Sequence, residues 1–229
     1  QSVNAIKGEL EQIINEAQTG YFPSNAQFHC TISGGNLNIE EPDPANPVGQ
    51  GRNEQCVFLG KVLQFGTAFG TDRERYAIYT IAGQNNANDF ESSTPKVVAF
   101  DDGTSPLTET KPLQNGLSVQ RIWYGEAATA VSVGAVGFTT YFATQDGSPF
   151  GRQSVQVIPV GETSFDNDGI AKINENLKDP GKSPHNPAGG VKMCFTSGTT
   201  DQSGLITLGG GSGVSGVTLE IKNGKTCGL

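Results

Sequence analysis

Methionine and tryptophan each occur once in the 229 residues, histidine twice, and charged residues make up only 17%. Two histidines leave little material for a Ser-His-Asp or Cys-His catalytic set, because His29 stands beside Cys30 in a strand-like stretch and His185 lies among prolines. No G-x-S-x-G elbow occurs. No cysteine sits in a Cys-x-x-Cys or paired-histidine arrangement of the kind zinc requires. The formal charge is −8 and no run of Lys or Arg offsets it, so a phosphate backbone is repelled. No apolar stretch reaches the 18 or so residues that a membrane-crossing helix needs. These shortages predict no enzyme, no cofactor and no direct nucleic-acid binding.

The chain is rich in 31 glycines and 12 prolines, which favour short strands joined by tight turns. One domain is the expectation at this length. Its class is α+β, an N-terminal amphipathic α-helix packed on an antiparallel β-sheet or β-sandwich. The four cysteines, Cys30, Cys56, Cys194 and Cys227, permit three pairings. Chain order favours Cys30 with Cys56 and Cys194 with Cys227, because each pair brackets a strand-loop-strand unit. Each bond would contribute about 3 to 4 kcal/mol in the chain-entropy model. Such bonds persist in an oxidising compartment, so an exported chain is expected, with its export signal removed upstream of Gln1.

At about 100° per residue, Val3, Ile6, Leu10, Ile13, Ile14 and Ala17 fall on one arc of roughly 100° and form an apolar stripe. Asn4, Ala5, Gly8, Gln12 and Asn15 lie opposite, with Glu9, Glu11 and Glu16 on the flanks. The stripe is expected to cover a sheet, and the rest of the surface to meet water or a polar partner. Gly20 and Pro23 end the helix.

Beyond Pro23 the apolar period changes to two. Phe28, Cys30 and Ile32, a Ser-Gly-Gly turn, then Leu37 and Ile39 predict a hairpin. Residues 40–54 read as a surface loop that a Cys30–Cys56 bond would close. Strands are predicted at Cys56–Phe65, Tyr76–Ile81, Lys96–Phe100, Leu117–Tyr124 and Val131–Ala143. An Asp146-Gly147 turn joins Phe138–Phe142 to Val155–Val160 as a hairpin. Residues 161–190 read as an inserted loop with a short helix at Ile170, Ile173 and Leu177. The last strands are Val191–Phe195, Leu205–Leu208 and the alternating Val217, Leu219 and Ile221, after which Asn223-Gly224 turns Cys227 back.

Motifs that suggest ligands fare poorly against their context. Gly211, Gly213 and Gly216 have the G-x-G-x-x-G spacing, but only 13 residues follow, too few for the helix, strand and acidic residue of a dinucleotide site. Asp166, Asn167, Asp168 and Gly169 look like part of a calcium loop without the bidentate glutamate in register, and an Asx-rich turn explains them better. Trp123 and Tyr124 should face opposite ways, with Trp123 in the core.

The order of features, a half-helix, a β domain and the ending VKMCFTSGTTDQSGLITLGGGSGVSGVTLEIKNGKTC, resembles bacterial type IV pilin-like proteins. The resemblance is to the H-type pseudopilins of type II secretion and related minor pilins. LQNGLSVQRIWYG looks like the family's Pro-x-Gly-aliphatic strand, with Gln114 in place of the proline, and GFTTYFATQDGSPFG looks like its Phe-spacer-Asp-Gly hairpin. The resemblance implies that residues 1–22 are the lower half of a spine helix and 23–229 a single head. It implies an apolar half-helix upstream of Gln1 that anchors the chain in the cytoplasmic membrane and later packs in an extracellular filament. Its partners would be other pilin or pseudopilin subunits. A secreted adhesion module that binds glycan or a host-cell protein through its proline-rich loops is the alternative expectation.

Overall fold

The computed structural model describes residues 2–19, 29–33, 36–40, 56–66, 73–84, 96–98, 108–126, 128–141, 154–161, 172–173, 175–177, 183–210 and 216–227. A single long helix, α1 (Ser2–Thr19), opens the chain. Six strands form sheet 1: β3 (Cys56–Phe65), β4 (Arg75–Gln84), β5 (Lys96–Val98), β6 (Thr108–Pro112), β9 (Ala135–Tyr141) and β10 (Ser154–Val160). Sheet 2 holds β7 (Leu117–Tyr124), β8 (Val131–Val133), β11 (Val191–Ser197), β12 (Gln202–Leu208) and β13 (Val217–Asn223). A separate hairpin pairs β1 (His29–Ser33) with β2 (Asn36–Glu40). All pairings are antiparallel. The fold is α+β and mostly β.

Sheet 1 runs β10-β9-β3-β4, with β5 and β6 both beside β4, and sheet 2 runs β13-β12-β11-β7-β8. The chain changes sheets between β6 and β7, between β8 and β9 and between β10 and β11, and the first two changes are tight. Between β6 and β7, Asn115 and Gly116 adopt φ of 57° and 64°, the left-handed region that Asn and Gly tolerate best. Between β8 and β9 the switch is at Gly134, which donates its amide to Val160 at 3.2 Å and accepts the Phe65 amide at 2.9 Å. The single strand expected from Val131 to Ala143 is thus two strands in different sheets. The sequence hides such a switch, because the alternation of Val131, Val133, Ala135 and Gly137 passes through Gly134 unchanged.

Alternation gives each sheet an inner and an outer face. Leu63, Phe65, Tyr76, Ile78, Val136, Phe138, Val155 and Val157 of sheet 1 share one core with Val119, Ile122, Met193, Phe195, Ile206 and Leu208 of sheet 2 and with the α1 stripe. Phe65 bridges the layers, stacked on Tyr76 at 5.5 Å and edge-on to Phe195 at 6.1 Å. The outer face of sheet 1 is covered too. Residues 172, 173 and 175–177 are helical, and Ile173 and Leu177 bury completely against Val62, Ile81 and Ile158. Gly137 makes room for this cover, since a Cβ there would come within 2.9 Å of the Leu177 side chain. The short helix expected in the 161–190 stretch thus supplies core through Ile173 and Leu177, whereas Ile170 lies outside the described residues, and 183–190 are irregular, with Ser183, Pro187 and Gly190 buried and Asn186, Ala188 and Gly189 exposed.

On the outer face of sheet 2, Trp123 packs with Cys194 and Cys227, and Arg121 lies 5.5 Å above its ring. Trp123 and Tyr124 do face opposite ways, but it is Tyr124 that packs against the main core and Trp123 that is buried beneath the chain's end. The Cys194–Cys227 disulfide has Cα atoms 5.8 Å apart and closes a separation of 33 residues. The side chains of Cys30 and Cys56 lie outside the described part. So do the loop at 41–54, the Asp166–Gly169 motif, and Gly211 and Gly213; Gly216 accepts a hydrogen bond from the Gly209 amide in the β12–β13 connection.

Candidate functional site

The helix touches strands of both sheets, namely β3, β9 and β10 of sheet 1 and the edge strand β13 of sheet 2. Its stripe is buried at Ile6, Leu10, Ile13, Ile14 and Ala17, and Val3 packs half-buried at the same seam. Val3 can approach because β12 carries Gly204 beneath it, where a Cβ would come within 2.8 Å of a Val3 methyl. Asn4, Ala5, Gly8, Glu11, Gln12, Asn15, Gln18 and Thr19 are exposed. That outer face is small or amide-bearing, with one carboxylate.

The flanking glutamates do not all meet water. Glu16 is 6% exposed, and its carboxylate accepts from Lys61 Nζ at 2.5 Å and from Gln12 Nε2 at 2.7 Å. Lys61 projects from the inner face of β3, so the pair crosses the helix-sheet seam. Two turns earlier, Glu9 accepts from the Tyr76 hydroxyl and from Lys111 Nζ at 2.6 Å. Lys111 also meets Glu109 at 3.1 Å. Burial and then the Glu9 hydrogen bond and charge push the Tyr76 hydroxyl far above its ordinary range. Burial opposes the Lys111 charge, but the Glu9 and Glu109 carboxylates outweigh it and hold this ammonium above its usual value. The partners lie 45, 67 and 102 residues along the chain, so helical periodicity carries no trace of them.

Two open clefts flank the first turn of α1. One, of about 200 Å³, lies toward sheet 2 between Val3, Leu117, Phe195, Gly204 and Ile221. The other, of about 350 Å³, lies toward sheet 1 and is lined by Ile6, Glu9, Tyr76 and Lys111. In the second, the charged groups already bond one another. Among the described residues no group of three or more His, Cys, Asp or Glu is placed to hold a metal ion. Among them, too, no helix is long and apolar enough to cross a membrane. Burial lowers the affinity of the His185 imidazole for a proton.

The sheets differ at the edges nearest the helix. Strand β10 ends sheet 1, and Asn186 seals it: its Oδ1 accepts the Val157 amide at 2.7 Å and its own amide donates to the Val157 carbonyl at 2.8 Å. Asn186 does this at φ 50°, which asparagine tolerates better than most residues. Strand β13 ends sheet 2 with seven residues whose outer edge pairs with no strand among the described residues. Ile221, on this strand, is 54% exposed.

No protein-family model, curated protein or solved structure matches the chain.

Proposed function

We propose that this chain is the β-rich head of a type IV pilin-like subunit, a minor pilin or pseudopilin, which works by assembling into a filament rather than by catalysis. The observation that carries the reading is the two-sided helix. One side of α1 is fixed to the head by five buried apolar residues and by carboxylates at Glu9 and Glu16. The other presents Asn4, Ala5, Gly8, Gln12 and Asn15, together with Glu11, whose carboxylate is paired with Lys7. Small and amide side chains let a neighbouring helix approach closely without burying an unpaired charge. A stripe anchored this firmly also transmits force from a spine to the head, as filament subunits must.

The C-terminal disulfide supports the same reading, because it suits an oxidising compartment outside the cytoplasm. The reading requires an apolar helical segment and a prepilin-type leader upstream of residue 1. It is tested by shearing surface filaments from the source cells. Wild-type chain should appear in the filament fraction, whereas Gly8→Arg and Asn15→Arg should be lost from it at unchanged melting temperature. A Cβ at Gly8 meets nothing within 4 Å, so that substitution leaves the head intact. Chain found only as a free protein in the medium would overturn the proposal in favour of a secreted ligand-binding module.

A further inference from the structure

We infer that the outer edge of β13 is a self-association surface, on which a second copy of this chain pairs its own β13 antiparallel. The inference does not rest on the filament reading. A regular edge strand exposes unpaired N–H and C=O groups, and proteins ordinarily blunt such edges with bulges, prolines, covering segments or charged side chains, above all lysines that repel a like strand. This chain covers β10 with Asn186. Val217–Asn223 contains no proline, its register with β12 is continuous from Gln202↔Asn223 to Leu208↔Val217, no strand among the described residues pairs with its outer edge, and its two charged residues are opposite in sign. The opposite edge of sheet 2, β8, has three residues and offers little to pair with.

The charges on β13 favour a like strand. Glu220 and Lys222 stand two apart on one face, 3.6 Å from each other. Ile221, between them, points to the helix side and lines the cleft beside Val3. An antiparallel pairing of two copies centred on Ile221 sets Ile221 against Ile221 and sets Glu220 of each copy against Lys222 of the other. Both cross-strand charge pairs are then opposite in sign, which stabilises an antiparallel ladder, and the exposed isoleucines cover each other. A centre at Glu220 or at Lys222 would instead face like charges across the axis. The two five-stranded sheets would become one ten-stranded sheet with two-fold symmetry, the commonest symmetry of homo-oligomers.

Seven residues cover far less than the ~1,600 Å² of a standard interface, so the association should be weak and set by concentration. Sedimentation equilibrium of the 229-residue chain, from micromolar to millimolar, tests it. Wild type should pass from monomer to dimer. Glu220→Lys alone and Lys222→Glu alone each turn both charge pairs repulsive and should weaken the dimer at least about tenfold. An equimolar mixture of the two variants restores opposite charges at both pairs and should dimerise at least as well as wild type. A wild type that stays monomeric at millimolar concentration overturns the inference. So does a dimer that both variants leave unchanged, or a mixture that fails to recover.

Discussion

Sheet 1 is tied to the helix by charge and sheet 2 by close backbone approach, and the two sheets differ as much at their free edges. On the sheet 1 side, Glu16 and Glu9 reach Lys61, Lys111 and Tyr76 across a seam that is otherwise apolar. On the sheet 2 side, Val3 lies against Gly204, and the sheet's outer face is held by the Cys194–Cys227 bond over Trp123. Ion pairs within a seam fix register and orientation, because a misplaced helix would strand a charge. A disulfide instead limits the unfolded chain. Sheet 1 thus fixes the angle of the helix, while sheet 2 carries the edge strand β13, which pairs with no further strand among the described residues.

The largest effect should come from removing what both sheets share. Leu10 is fully buried in the joint core, so Leu10→Asp should cost about 4 kcal/mol or more through lost packing and an unpaired buried charge, seen as a loss of cooperative unfolding in urea. An unchanged midpoint would remove the packing assignment of the stripe. Next comes the sheet 1 pin. Lys61→Met leaves Glu16 charged and nearly buried and should cost about 3 to 5 kcal/mol, whereas Lys61→Met with Glu16→Leu should recover most of it. If the double variant is as unstable as the single one, the pair matters for packing rather than for charge.

Breaking the sheet 2 staple should be slightly milder. Replacing Cys194 and Cys227 by alanine should cost about 3 to 4 kcal/mol from the 33-residue separation, and the loss should fall on Trp123, whose fluorescence reports its exposure. The smallest effect is alkaline. Tyr76 and Lys111 both bind their protons more tightly when folded, so their contribution is fully present below about pH 10 and is lost as pH rises beyond it. Above that pH the unfolded chain releases these protons while the folded one keeps them. Tyr76→Phe should flatten the fall in stability above pH 10; an equally steep fall would assign it to other groups.

Local patterns predicted the elements better than their arrangement. The α1 stripe, β3, β7, β10 and β13 follow a clear apolar period and lie where the sequence predicts them. Thr108–Pro112, by contrast, is a strand of polar residues that pairs with β4 and has no apolar alternation to announce it. The switch of sheets at Gly134 leaves the alternation from Val131 to Gly137 unbroken, so nothing in the pattern marks it. Of the site, the helix face and the Cys194–Cys227 pair were legible, because they are set by spacing and chain order. The lysine partners of Glu9 and Glu16 were not, since they depend on which strands lie under the helix. Nor was the open edge: alternation in Val217, Leu219 and Ile221 identifies a strand, but only sheet order makes it the last one.

The contrast between the closed and the open edge is tested most directly by amide hydrogen exchange at low and high protein concentration. The Val157 and Asn186 amides, bonded to each other's residue at the β10 edge, should be protected equally at both. The outward amides of Val217–Asn223 should exchange freely in dilute solution and become protected at millimolar concentration. Protection of β13 that is already high in dilute solution and does not change with concentration would contradict the account.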